Sequence, residues 1–546
     1  MGSKTLRILG LGAVWILGSS CGTQPAPPPP AETSPTTPQN AQSSEKNDWK
    51  ADLDHSELQS IIEFLASDLL EGRAPGTRGG RIAEEYIQSL FKLWGIAPAS
   101  KDGYFQPFDL NGYSAEDLQL DLGGVALHFS KDNMGAVLSN EPNPVLEGEA
   151  VFVGFGIATP LWDWDDFKDV DVTDKIIITR LNDPGLFLPE IFEGKVLTYF
   201  GRWTYHVEEA IRRGAKGILI IHTDETAGYT WNVVENSWSG EKVRLDQQVD
   251  NNLKLQAWVK EQSLKRALEA RGIDLEELYK ASLQKDFRPV ELGFTIKAKS
   301  KLSHRRFPTN NVVAMIPGQS DKQVVLSAHI DHLGIGKEKD GDNIFNGAID
   351  NGSALASMML VAKHLKNMRN ELYYSYVFLA CNAEEGGLLG SKYYVDRADK
   401  SKIIANINFE STPVWEKAGS LMGVGARFST FEDMIKQVAS RQGLAYSEFS
   451  LSDQGLFYRS DQFPFAAAGI PAVWISAGED DASGQQKYTA FWSGAYHTVD
   501  DEYDPNWKLE SMAQTVQATL GLLQIIDEER QEPVWKENIT FPIHKE

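Results

Sequence analysis

From about Val312 onward the chain repeats one pattern: a short apolar run, a loop, then a helical stretch. "QVVLSAH", "YYSYVFLACNA", "IIANINFE" and "GIPAVWISA" read as strands, and "GSALASMMLVAKHL" between the first two reads as a helix. Such alternation calls for crossover connections, which place helices on both faces of a sheet. The predicted fold class is α/β, with a mostly parallel mixed sheet sandwiched by helices. Ligands of such sheets bind beyond the carboxyl ends of the strands.

Acids and imidazoles gather at those ends. His329 closes "VVLSAH" and is followed by Asp331; Asp350 lies in "NGAIDNGSALA", in a turn that opens a helix; Glu384 and Glu385 close the next strand; Glu410 closes "NINFE"; His497 lies in "AYHTVDDEYD". Neutral imidazoles and carboxylates are ligands for Zn²⁺ and similar ions. A central carboxylate can bridge two metals, whose charge then offsets the repulsion between adjacent glutamates. One glutamate of the pair can bind metal while the other faces water. A lone strand-end Asp is usually a cap or turn former, and a lone His is more often structural. Five strand-end positions in one sheet are harder to assign to caps and turns. His332, in "HIDH", reads as a pocket or supporting residue, and Cys381 as a small buried hydrophobe. The sequence has no HExxH, no GxSxG and no phosphate loop.

The remainder of the chain sets the context. Lys4 and Arg7 precede an apolar stretch, Ile8 to Leu17, and then "LGSSCG". That is the layout of an export signal, and Cys21 after small residues resembles the lipobox of bacterial lipoproteins. The expected location is the bacterial cell envelope, with membrane contact only through a lipid on Cys21. Residues 22–50 are rich in Pro, Ser, Thr and Gln and read as a tether. A formal net charge of −23 without a basic stripe argues against nucleic-acid binding. The segment about 140–285 has its own rhythm, with "EAVFVGFGIATP" and "KIIITRLNDPG" as strands and "EEAIRRGAKGILIIHTDE" as helix, turn and strand.

"SAHIDHLG", "NGAIDNGSALA", "AEEGGLLGS", "NINFE", "RSDQFPFAAAGIPAVW" and "YHTVDDEYD" occur in the order seen in the M28 family of co-catalytic zinc aminopeptidases. The segment 140–285 resembles the β-rich protease-associated domain inserted in many members. The expected division is a signal at 1–21, a linker at 22–50, a peptidase domain at 51–139 and 286–530 split by the insertion at 140–285, and a tail at 531–546.

The resemblance implies two Zn²⁺ per chain and peptide substrates cleaved at the N-terminal residue. His329 and Glu410 would hold one part of the metal shell, Glu385 and His497 the other, with Asp350 bridging. Glu384 would be the general base and Asp331 the carboxylate that orients His329. The family usually has Asp at the position of Glu410, and often His at that of Gln462. Two other readings accompany this one: a glutaminyl-peptide cyclotransferase on the related single-zinc fold, and a binding protein that retains the fold without activity.

Overall fold

The computed structural model describes residues 49–543 apart from 247–250, 369, 480–481 and 538. The export segment, Cys21 and nearly all of the Pro-rich stretch lie outside the described residues. Among the described residues no helix is long and apolar enough to cross a membrane.

A 16-stranded mixed sheet runs through the molecule. From one edge its path passes Ser420–Val424, Ala472–Ala477, Ile403–Asn408, Gln323–His329 and Ser375–Cys381. It continues through Val290–Ile316 to Val145–Phe152, Ile176–Arg180, Gly217–His222 and Leu255–Lys260. The strands that carry the candidate site, Ile403–Asn408, Gln323–His329 and Ser375–Cys381, are parallel neighbours. A second parallel run joins Val145–Phe152, Ile176–Arg180, Gly217–His222 and Leu255–Lys260 in the middle segment.

The 27-residue strand Val290–Ile316 links the two runs, pairing antiparallel with both Ser375–Cys381 and Val145–Phe152. It also forms a long ribbon with Phe105–Leu122. Burial alternates along it from Leu292 to Leu302, the period-two signature of a strand with one covered face.

Alternation also divides the core. Val324, Leu326 and Ala328 face one apolar cluster, while Val325 faces another. The helices Ala354–Asn367 and Glu510–Asp527 cover the first face. Both are buried over most of their circumference, as helices enclosed by other layers are. The opposite cluster takes in Phe155, Phe192, Tyr199 and Phe200 from the middle segment together with Phe457, Phe463 and Trp474. The middle segment is thereby packed directly beside the strands that carry the site.

Candidate metal centre

Strand register brings the site together. His329 lies opposite Cys381 in the parallel pair of Gln323–His329 with Ser375–Cys381, so His329 and the Glu384–Glu385 pair leave the sheet at adjacent levels. On the other side Ser327 lies opposite Asn408, and Glu410 emerges two residues later. Asp350 comes from the turn before Ala354–Asn367, and His497 from the loop after Phe491–Ala495. All five candidate ligands and Glu384 converge there.

Asp350 is central. Its Oδ1 lies 3.3 Å from His329 Nε2, and its Oδ2 lies 3.3 Å from His497 Nε2. Glu410 Oε2 is 3.5 Å from His329 Nε2, and Glu385 Oε2 is 3.1 Å from His497 Nε2. Two groups of donors therefore share one carboxylate. His332 joins the second group, with Nδ1 2.8 Å from Glu385 Oε1 and 3.9 Å from Asp350 Oδ2. It thus touches the donor set as well as lining the adjoining cavity.

This donor set fits metal ions. Asp331, Asp350, Glu384 and Glu410 are all buried, and carboxylates gathered away from water repel one another unless cations offset their charge. His497 Nε2 is close to two carboxylate oxygens but is hydrogen-bonded to neither. Short separations without donor–acceptor alignment are what ligands around a shared third atom give.

The adjacent glutamates are driven apart. Burial, with the charges of Glu385, Asp461 and Glu410, pushes Glu384 well above the usual carboxylate range, and His329 only partly opposes this. Burial also acts upward on Glu385, but His497 and His332 outweigh it and hold the group well below its ordinary value. Two carboxyls whose surroundings separate their proton affinities are suited to separate tasks. Burial likewise opposes charge on His497, but Glu385 and Asp350 raise it to about 10.

Asp331 does not hold His329 in the expected way. The His329 Nδ1 contact, at 3.0 Å, is to the Asp331 backbone carbonyl, while the carboxylate is 3.9 Å away. That carboxylate instead accepts the backbone N–H groups of Glu384 at 3.0 Å and Glu385 at 3.3 Å. It orients the glutamate pair, because the chain turns directly after the strand and presents the carbonyl to the imidazole.

Glu410 is fixed by neighbours that compensate for its length. Ser411 donates its N–H and Oγ to Oε1, and Ser460 Oγ donates to Oε2 at 2.5 Å. Asn408 lies below, donating to Ser460 Oγ and Gln462 Oε1 and accepting from Ser327 Oγ. Gln462 is thus part of the support under Glu410 rather than of an open pocket.

Several supporting residues carry no local sequence signal. Asp501 accepts the N–H groups of Ile349 and Asp350, both at 2.9 Å, and so fixes the bridging turn. Arg73 is buried and donates to the carbonyls of Ile330, Leu65, Asn346 and Gly347. Gly347 adopts φ +59°, and a Cβ there would lie 2.2 Å from the Asp350 carbonyl oxygen and 2.6 Å from the His332 ring. A cavity opens beside His332 and Glu385, lined also by Pro75, Lys242, Asp331 and Phe345.

Residues 311–521 match the family model described as Peptidase family M28. The sequence is similar to aminopeptidase YwaD of Bacillus subtilis (strain 168), 29% identical over 167 residues, covering 29% of this chain and 33% of that protein. It is also similar to leucine aminopeptidase 2 of Trichophyton equinum, 28% identical over 208 residues, covering 36% of this chain and 39% of that protein. The chain thus spans 33% and 39% of the lengths of these curated relatives. The fold is that of an aminopeptidase from Aneurinibacillus sp. strain AM-1, with a TM-score of 0.51, 19% identity, and coverage of 90% of this chain and 97% of that one.

Proposed function

We propose that this chain, whose residues 311–521 match the model of peptidase family M28, is a zinc-dependent aminopeptidase that uses two ions. The observation that carries the proposal is the orientation of Asp350, whose two oxygens face two separate histidines at 3.3 Å each. His329, Asp350 and Glu410 would hold one ion; Asp350, Glu385 and His497 would hold the other, with His332 against Glu385. When bound, the ions supply Lewis acidity to a carbonyl and lower the pKa of water.

Glu384 acts as the general base. Its buried carboxyl, with raised proton affinity, takes a proton from the attacking water and returns it to the leaving amine. Asp331 keeps that carboxyl in place through the backbone N–H groups of the glutamate pair. The substrate's free amino group would be held by the carboxylates of the cluster, limiting cleavage to the first residue. The middle segment, read as a protease-associated insertion, borders the cleft and would help to bind or enclose the peptide.

Export and lipid anchoring through Cys21 belong to the same proposal: Cys21→Ser would move the protein from the membrane fraction to the soluble exported fraction. The activity is tested with zinc-reconstituted protein on a panel of aminoacyl amides and short peptides. N-terminal amino acids should be released, and Glu384→Gln should lower kcat by roughly 10²–10⁴-fold while zinc content is kept. Absence of release across the panel with zinc bound would contradict the proposal.

A further inference from the structure

Two arginines converge on the same site with guanidinium nitrogens left unsatisfied among the described residues. Arg202 precedes the helix Trp203–Arg212 of the middle segment, is 8% exposed, and has no partner for Nε. Arg459 follows the turn Leu456–Tyr458, and its Nε and Nη2 are likewise buried without partners. Arg73 shows the contrast: buried in the same molecule, it donates to four backbone carbonyls.

The two segments that carry these arginines are fixed against each other. Tyr199 packs on Phe463 with ring centroids 4.9 Å apart and on Tyr458 at 6.2 Å. Leu197 N–H donates to the Asp453 carbonyl at 2.9 Å, and Arg427 pairs with Glu193. The ring of Tyr229 lies 5.8 Å from the Arg459 guanidinium, and Tyr496 stacks on His497 at 3.9 Å. Burial and then the Arg459 charge push Arg202 down to about 9, against Tyr229, Tyr496 and Glu384. Arg459 directly precedes Ser460, whose hydroxyl donates to the candidate ligand Glu410, and the charge of Glu384 acts on Arg202.

Two neighbouring guanidiniums with buried, unpartnered nitrogens repel each other and leave donors unmade, and both costs are relieved by an anionic acceptor. A carboxylate suits the planar fork of a guanidinium, which can donate two parallel bonds to it. We propose that Arg202 and Arg459 bind a carboxylate of the peptide substrate next to the scissile bond, so that the preferred substrates are anionic. This rests on the peptidase reading. The carboxylate could be the C-terminus of a dipeptide or an acidic side chain of a longer peptide.

Binding is measured by calorimetry on the full zinc-loaded chain carrying Glu384→Gln, so that turnover does not intervene. One pair of ligands is leucylalanine and leucylalaninamide; the other is leucylglutamate with its α-carboxyl amidated and leucylglutaminamide. At least one carboxylate member should bind about tenfold or more tightly than its neutral isostere, as a charge-assisted bidentate contact would give. A preference in the first pair identifies the terminal carboxylate, and one in the second an acidic side chain.

Adding Arg459→Gln or Arg202→Gln should bring that ratio close to one, and Arg459→Lys should keep part of it. Equal affinity within each pair, no binding by any of the four, or a ratio unchanged in both glutamine variants would overturn the proposal. If one variant fails to fold, the wild-type ratios and the other variant still decide. Failure of the peptidase reading would look different: no hydrolysis of any of the four by the chain with Glu384 intact, with the carboxylate preference still present in calorimetry.

Discussion

Two strands of the same sheet end alike and do different work. Gln323–His329 runs into His329-Ile330-Asp331, and Gly217–His222 runs into His222-Thr223-Asp224. Both are wholly or almost wholly buried and lie between parallel neighbours. Around His329 the adjoining chain ends supply Glu384 and Glu410, and Asp331 is fully buried beneath the glutamate pair. Around His222 stand the rings of Trp231, Tyr229 and Trp258 at 5.3, 5.9 and 6.0 Å, and Asp224 is exposed.

The charge response follows the surroundings. Burial works against protonation of both rings. At His329 the carboxylates of Glu410, Glu384 and Asp350 reverse that effect, whereas at His222 burial prevails. A strand-end His-x-Asp gathers a set of metal-type donors here only where the neighbouring strands also end in carboxylates.

The largest expected effect comes from removing each histidine. His329→Ala should lose bound zinc and reduce activity by more than the roughly 10–100-fold that changes outside the ligand set cost. His222→Ala should keep both zinc and activity and lose about 1–3 kcal/mol of stability through its buried aromatic packing. Zinc loss in His222→Ala, or retention in His329→Ala, would break the comparison.

The next effect sharpens which carboxylates matter. Glu410→Ala should weaken one metal site strongly, while Glu410→Asp keeps measurable activity because a carboxylate remains beside His329. Asn408→Ala should retain both ions at a stability cost of about 1–3 kcal/mol, since its amide is committed to buried hydrogen bonds. A zinc titration in which Asn408→Ala loses an ion and Glu410→Ala does not would reverse the assignment.

The smallest effect concerns a histidine with no carboxylate to counter burial. His206, in the middle segment, is pushed down to about 3 by burial. Below a pH of about 6.5 the unfolded chain takes up a proton that the folded chain refuses, so stability falls as pH drops from there towards 3. By pH 5 the loss is about 2 kcal/mol. His206→Phe should therefore show a smaller fall in unfolding temperature between pH 7 and pH 5 than the unsubstituted protein. An equal fall would mean that this ring is protonated in the folded state.

The site was legible in the sequence where the chemistry is local to a strand end. His329, Glu384, Glu385 and Glu410 each follow a recognisable apolar strand, and parallel register brings them together, whereas Asp350 and His497 arrive from a turn and a loop. Arg73 was not legible, because its partners are backbone carbonyls, one of them 257 positions away, and carbonyls have no residue signature. The Asp331 carboxylate was legible as a neighbour of His329 but not in its task. Sequence adjacency says nothing of whether a carbonyl or a carboxylate will meet the ring.

The strand Val290–Ile316 was recognisable only near its end. Its earlier half, "ELGFTIKAKSKLSHRR", hides a buried face behind alternating charged residues. The arginines Arg202 and Arg459 lie 257 positions apart in unrelated segments, and only the aromatic packing of the folded chain makes them a pair.

The central claim is that one bridging carboxylate organises two metal ions at the carboxyl ends of the site strands. A zinc-edge anomalous difference map from crystals of the zinc-loaded Glu384→Gln protein tests it most directly. The account predicts two peaks on either side of Asp350, one reached by His329 and Glu410 and the other by Glu385 and His497. A single peak, no peak at Asp350, or a peak at His222 would contradict it.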